Sequence, residues 1–80
     1  MEAKTKLRLV RDLKGETVSS MAKVLNIGVS RYYMIETGQR PATPRIAEKI
    51  ALILGVKQMD IFLPQSFIAR DIDASKAHSI

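Results

Sequence analysis

Basic side chains are the chemically active residues that dominate this sequence. Residues 1–57 contain 11 lysines and arginines against 5 acidic residues, whereas residues 58–80 contain 2 against 3. The whole chain has a formal net charge of +5. A positive surface attracts polyanions, because basic side chains that neutralise phosphates release condensed counterions. The charge therefore favours nucleic acid as a partner and places the contact in the first part of the chain.

The side chains needed for catalysis or for a metal centre are missing. The sequence has no cysteine and one histidine, His78, so disulfides, thiolate metal sites and Cys/His nucleophiles are excluded. It has no glycine-rich phosphate loop and no clustered carboxylates, and Asp71 and Asp73 are interpreted as solvated charges. We therefore predict that the protein is not an enzyme and uses no metal or cofactor.

Length and hydropathy indicate a single small domain. A chain of 80 residues with 46% hydrophobic residues is expected to form one hydrophobic core and is too short to form two domains. The longest apolar run, Ile50 to Leu54, is too short to span a bilayer, and the basic amino terminus has no signal-peptide pattern. We expect a cytoplasmic, nucleoid-associated protein without a membrane role.

Apolar residues recur at spacings of three and four between helix-ending residues, which predicts helices throughout. The predicted helices cover approximately residues 5–14, 18–25, 30–36, 44–54 and 57–63. Thr17 and Thr43 are suitable N-caps, and Pro44 occupies a first helical position where no amide proton is needed. Asn26 and Gly28 tolerate the sharp turn between the second and third helices. The predicted fold class is all-α, a compact bundle of five short helices.

Pro64 is predicted to end the fifth helix. After it, Phe67, Ile68 and Ile72 alternate with polar and charged residues without a helical period. We therefore predict a folded domain over residues 1–63 and a C-terminal tail over residues 64–80. The tail is either disordered or forms a contact, with a second subunit as a dimerisation segment or with another protein.

A tight turn between two short helices is typical of helix-turn-helix proteins, in which the second helix of the pair enters the major groove. The stretch from Lys6 to Leu63 resembles the Cro and repressor type of this domain, found in lambdoid phage repressors and many bacterial regulators. The resembling segments are LRLVRDLKG, TVSSMAKVLNI, SRYYMIETGQR, TPRIAEKIALILGV and MDIF. The residues at the family's characteristic spacings are Ala22, Leu25, Ile35, Glu36, Gly38, Ile50, Ala51, Leu54 and Gly55. The resemblance implies a lambda-repressor-like DNA-binding domain in which helices 2 and 3 form the helix-turn-helix.

The resemblance also implies the site residues. Those expected to read bases, on the solvent side of the third helix, are Val29, Ser30, Arg31, Tyr33 and Met34. Groove chemistry allows Arg31 to bind a guanine edge or a phosphate, Val29 to contact a thymine methyl, and Tyr33 to bind phosphate or pack beside Tyr32. The residues expected near phosphates are Thr17, Val18, Gly28, Thr37, Gln39 and Arg40. Arg11 and Glu36 match a structural ion pair of the family.

Three positions depart from the family pattern, namely Val18, Gly28 and Glu16, and Glu16 stands where an apolar residue is usual. Val18 stands where many members have a glutamine that contacts phosphate, and Gly28 stands where many have a serine or threonine that caps the third helix. Both polar contacts are lost, and Val29 and Met34 make the expected DNA face more apolar still.

The function implied is a sequence-specific DNA-binding transcriptional regulator, a repressor of phage or mobile-element type. It would bind operator half-sites in double-stranded DNA as a homodimer through the major groove. The alternative is a protein-interaction module on the same fold, such as an antitoxin, an antirepressor or a phage inhibitor. The apolar face favours that alternative, because exposed apolar patches often mark protein contacts.

Overall fold

The computed structural model describes residues 5–72 and folds them into five helices. These are α1 (Lys6–Leu13), α2 (Val18–Leu25), α3 (Val29–Glu36), α4 (Pro44–Leu54) and α5 (Gln58–Ile61). Over residues 5–72 the only strand-like features are isolated bridges, from Thr5 to Asp71 and from Phe62 to Ala69. The predicted all-α class with five short helices is confirmed. No helix within these residues has the length and apolar character needed to cross a membrane.

Threonine hydroxyls cap three of the helices. Thr5 accepts a hydrogen bond from the amide of Arg8 at 3.2 Å, Thr17 from the amide of Ser20 at 3.0 Å, and Thr43 from that of Ile46 at 3.2 Å. Each cap satisfies an amide that has no partner inside its helix and stabilises the helix by about 1 kcal/mol. The caps therefore set where α1, α2 and α4 begin.

The turn between α2 and α3 uses one left-handed residue. Asn26 has φ 59° and ends α2, and the amide of Ile27 donates to the carbonyl of Ala22 at 3.0 Å. This arrangement reverses the chain directly after α2. Gly28 has φ −69° in extended backbone and is the N-cap of α3 without a side-chain hydrogen bond. The left-handed tolerance expected of both Asn26 and Gly28 is thus needed only at Asn26.

The core lies between the helices and draws on all five of them. Its buried hydrophobic residues are Leu7, Met21, Ala22, Leu25, Tyr32, Ile35, Ala42, Ala47, Ile50, Ala51, Leu54, Ile61, Phe62 and Ala69. Ala42 comes from the α3–α4 loop and Ala69 from the chain after α5. Packing of α2 against both α3 and α4 fixes the helix pair whose outer side forms the candidate site.

The chain after α5 folds back over the helices as a strap, which we define as residues 62–72. The amide of Lys6 donates to the carbonyl of Arg70, and the amide of Ala42 donates to that of Phe67, both at 2.9 Å. Phe67 turns the strap with φ 57°, and its side chain is half-buried beside the core. Residues 64–72 of the predicted tail therefore bind their own domain, whereas residues 73–80, with Asp73 and His78, lie outside the described residues.

Candidate nucleic-acid interface

Helix α3 separates its side chains into a buried and an exposed set. Tyr32, Ile35 and Glu36 are fully buried against the core. The five residues predicted to read bases are all exposed, namely Val29, Ser30, Arg31, Tyr33 and Met34. The exposed fractions are 50% for Val29, 47% for Tyr33 and 40% for Met34.

Four of these five residues line one shallow groove, which we call the α3 groove. Its walls are Val18, Val29, Ser30, Tyr33, Met34 and Gln39, and its volume is about 520 Å³. Val29 and Tyr33 are four residues apart, as are Ser30 and Met34, so each pair shares one side of the helix. Val18 closes the groove from the start of α2, and Gln39 closes it from the loop after α3. Arg31 is exposed but does not line this groove.

The start of α2 has two amides available for an anion. Thr17 uses its hydroxyl to cap the helix, and its own amide donates to the Ser20 hydroxyl at 3.0 Å. The amides of Val18 and Ser19 are in the first turn, where no intrahelical acceptor exists. The helix dipole adds partial positive charge at this end. An anion at α2 would therefore be held by the backbone of Val18 and Ser19 rather than by the Thr17 side chain.

The loop after α3 holds the other predicted phosphate contacts. The Gln39 side-chain amide donates to the Thr37 hydroxyl at 2.8 Å, and this hydroxyl donates to the carbonyl of Tyr33 at 2.9 Å. The backbone amides of Gln39 and Arg40 both donate to the carbonyl of Met34. These amides are therefore already used, and the exposed Arg40 side chain is the loop's free cationic group. Gly28, at the other end of α3, lies beside the α3 groove but does not line it.

A buried ion pair connects α1 to the end of α3. The Nε atom of Arg11 donates to Oε1 of Glu36 at 2.7 Å, and a terminal guanidinium nitrogen donates to Oε2 at 2.9 Å. The Tyr32 hydroxyl donates to the same carboxylate at 2.8 Å, and Arg11 also donates to the carbonyl of Glu16 at 2.8 Å. Glu36 has no exposed surface. The bidentate contact fixes the direction of α3 relative to α1.

The ionisation of this cluster follows from its burial and its hydrogen bonds. The hydrogen bond to Glu36 raises the pKa of Arg11, and burial only partly opposes that effect. Burial also raises the pKa of the Tyr32 hydroxyl strongly, and the adjacent Glu36 carboxylate raises it further. The raised pKa of Arg11 keeps its guanidinium charged, and the raised pKa of Tyr32 keeps its hydroxyl protonated, at physiological pH.

The sequence analysis did not predict two of the contacts in this cluster. The Tyr32 hydroxyl lies one helical turn from Glu36, and the four-residue spacing is a signal that would have found it. The Thr5 hydroxyl donates to the carbonyl of Glu36 at 2.6 Å across a separation of 31 residues. No spacing rule reaches that far, so only the fold reveals the second contact.

The residues described contain no group of three or more histidine or acidic side chains able to hold a metal ion. The family model described as helix-turn-helix matches residues 7–59, which cover α1 from its second residue, all of α2 to α4 and the start of α5. Comparison with curated proteins and with solved structures gives no match.

Proposed function

Since the chain belongs to the helix-turn-helix family of Cro/repressor type, we propose that it is a transcriptional repressor that binds operator half-sites as a homodimer. The family assigns the chain a DNA-binding domain of the transcription-regulator type. The observation that supports the proposal best is the exposed side of α3, which presents five side chains outward while its opposite side is locked into the core. This function places the protein at the nucleoid in the cytoplasm.

Base reading is assigned to α3 in the major groove. Arg31 is the exposed guanidinium of this helix, and a guanidinium can donate two parallel hydrogen bonds to O6 and N7 of guanine. Ser30 can donate to or accept from a base edge or a phosphate. The Arg11–Glu36 pair holds α3 in a fixed direction, so these side chains meet the bases without first ordering the helix.

Phosphate binding is assigned to both sides of α3. The amides of Val18 and Ser19 face one strand, with the dipole of α2 behind them. Arg40, and Gln39 at the edge of the α3 groove, face the DNA from the loop that follows α3. These contacts set the register of α3 on the duplex and carry no sequence information themselves.

The homodimer and the repressor role complete the proposal. An eight-residue α3 contacts only a few base pairs, and proteins of this kind gain specificity by binding two half-sites about 34–36 Å apart. A two-fold symmetric dimer on a palindromic site uses the same surface twice. An operator occupied in this way is closed to other proteins, which is the simplest route to repression.

Selection of random duplex DNA by the purified full chain tests the proposal. We expect enrichment of a dyad-symmetric motif at physiological salt, bound by two chains per duplex. Arg31→Ala should relax one position in each half-site and cost about 1–3 kcal/mol of binding free energy per half-site. The matched control is Lys49→Ala, which removes a cation beside Val24, Leu52 and Ile53, outside the α3 groove. It should leave the motif unchanged.

An unselective result would contradict the proposal. Equal binding of all sequences that disappears with added salt would mean contact with the backbone only. A second candidate function, a protein-binding module, is favoured by one observation: the lining of the α3 groove is mostly apolar and contains no cationic side chain. Absence of any enriched motif would support this candidate and direct the search to protein partners of the same groove.

A further inference from the structure

The strap touches the loop that follows α3 at two points. At the start of this loop, a Cβ atom added to Gly38 would lie 3.8 Å from Cγ2 of Ile68, so the strap passes close beside the backbone there. At its end, the amide of Ala42 donates to the carbonyl of Phe67 at 2.9 Å. Between the two points lies the exposed cation of the loop, Arg40. The strap therefore contacts both ends of the segment to which phosphate binding is assigned.

The strap is itself fixed to α5. The amide of Leu63 donates to the carbonyl of Ile68, and the amide of Arg70 donates to that of Ile61, both at 2.8 Å. The Nε atom of Arg70 also donates to the carbonyl of Met59 at 2.7 Å. Because these bonds do not involve the loop after α3, the strap is a fixed surface against which that loop can rest.

The bonds between the loop and α3 fix only the first part of the loop. The amides of Gln39 and Arg40 donate to the carbonyl of Met34 at 2.9 and 3.2 Å, which sets the direction in which the chain leaves α3. The direction in which it continues towards α4 is set at Ala42, which is buried and bonded to Phe67. The position of the Arg40 backbone thus depends on α3 on one side and on the strap on the other.

Resting on the proposed function, we propose that the strap holds this loop in the conformation in which Arg40 meets a DNA phosphate, with Phe67 as the positioning residue. A loop that is ordered before binding loses less conformational entropy when it meets the duplex. Phe67 serves in this way because its carbonyl accepts from Ala42 and its side chain packs beside the core. The family match ends at residue 59, so the strap lies outside the matched part of the chain.

Phe67→Gly releases the strap with little change to its turn. Glycine keeps the left-handed backbone at φ 57° and removes the ring that packs beside the core. Amide hydrogen exchange followed by NMR should show faster exchange at Ala42, while the amides of Ile35 and Glu36 in α3 stay protected. The matched control is Met59→Ala, which removes an exposed apolar side chain from the surface groove that Phe67 also lines. It should leave exchange at Ala42 slow.

The effect on DNA is measured with the duplex enriched by the selection above, by fluorescence anisotropy at several salt concentrations. Phe67→Gly should weaken binding about tenfold and make the salt dependence shallower by about one phosphate contact. Arg40→Ala should change the salt dependence in the same way. The double variant should bind no more than about twofold more weakly than Arg40→Ala alone, because both changes act on one contact. The base preference that depends on Arg31 should persist.

A second variant covers the case in which Phe67→Gly does not fold and protection is lost throughout α3. Ile68→Ala removes the carbon atoms beside Gly38 and leaves both the Phe67 ring and the bond to Ala42 in place. It should weaken DNA binding and reduce the salt dependence in the same direction, whereas Met59→Ala should change neither. Binding by Ile68→Ala that equals binding by Met59→Ala would contradict the proposal.

The outcomes separate this inference from the function on which it rests. Fast exchange at Ala42 in Phe67→Gly with unchanged affinity and salt dependence would overturn the inference and leave the DNA-binding function standing. Effects of Phe67→Gly and Arg40→Ala that multiply in the double variant would also overturn it, because the strap would then act on a different contact. A selection that enriches no motif would overturn the proposed function and the inference together.

Discussion

Replacement of Arg11 by methionine would leave the Glu36 carboxylate buried with one remaining side-chain partner, the Tyr32 hydroxyl. The wild-type carboxylate receives two hydrogen bonds from Arg11, at 2.7 and 2.9 Å, and has no exposed surface. Removal of one partner from a buried pair costs about 3–5 kcal/mol, because the other charge stays desolvated. A chain of this length is expected to have a free energy of unfolding of about 4–12 kcal/mol. Arg11→Met should therefore remove a large part of the stability, and at the lower end nearly all of it.

Urea unfolding followed by far-ultraviolet circular dichroism measures this loss. The control is Arg8→Met, the same substitution on the same helix. Arg8 faces Asp12 at 4.0 Å in a partly solvated pair, and such pairs contribute under about 1 kcal/mol. A triple variant, Arg11→Met with Tyr32→Phe and Glu36→Leu, replaces the whole cluster by apolar groups and should recover most of the stability.

The comparison of these variants can refute the reasoning. If Arg11→Met costs no more than Arg8→Met, water reaches Glu36 and the pair does not fix α3. If the triple variant is as unstable as Arg11→Met, the loss arises from the packing of the Arg11 side chain and not from an unpaired charge. In either case the ion pair would not be what fixes the direction of α3.

Two further predictions concern the same helix. Gly28→Ser should raise the free energy of unfolding by about 0.5–1 kcal/mol, because Gly28 is an N-cap with φ −69° and an added Cβ meets nothing within 4 Å. Gly55→Ser is its control and should lower stability, since Gly55 has φ +70°; an increase in thermal midpoint in both variants would contradict the argument. The raised pKa of Tyr32 predicts that its contribution to stability is fully present below the ordinary tyrosine pKa of about 10 and is lost as pH rises above it, because only the unfolded chain ionises Tyr32 there. Tyrosinate absorbance should therefore show a step that coincides with unfolding and disappears in Tyr32→Phe, whereas a step from Tyr32 in the folded chain would show that its hydroxyl is solvated.

The helices and the exposed residues of α3 were predictable because their signals are local. Two helix starts were recognisable from side chains alone, at Thr17 and at Thr43 followed by Pro44. In the structure α2 begins directly after Thr17, and α4 begins directly after Thr43. The exposure of Val29, Ser30, Arg31, Tyr33 and Met34 follows from helical periodicity once Tyr32 and Ile35 are recognised as core. Their assembly with Val18 and Gln39 into one groove depends on how α2 packs on α3, and periodicity does not contain that information.

The hydrogen bonds that hold the strap to the helices were not predictable, because most of them are made by the backbone. The bonds from Lys6 to Arg70 and from Ala42 to Phe67 join amides and carbonyls, which every residue other than proline possesses. The residue types in this segment therefore give no sign of their partners. The alternation of Phe67 and Ile68 with polar residues was compatible with a disordered segment, with binding to another chain and with packing against the helices of the same domain. The boundary at residue 63 stays a prediction, which a chain ending there would test.

The antiparallel bridge between Thr5 and Asp71 means that the described chain enters and leaves the domain at one point. That point adjoins the carboxyl end of α3, because the Thr5 hydroxyl is bonded to the carbonyl of Glu36. The two ends of the described chain therefore lie next to each other. A short linker could join residues 5 and 72, and new ends could be introduced in a loop, which would give a circular permutant. A label, a solid support or a second protein attached at either end would therefore start beside the carboxyl end of α3.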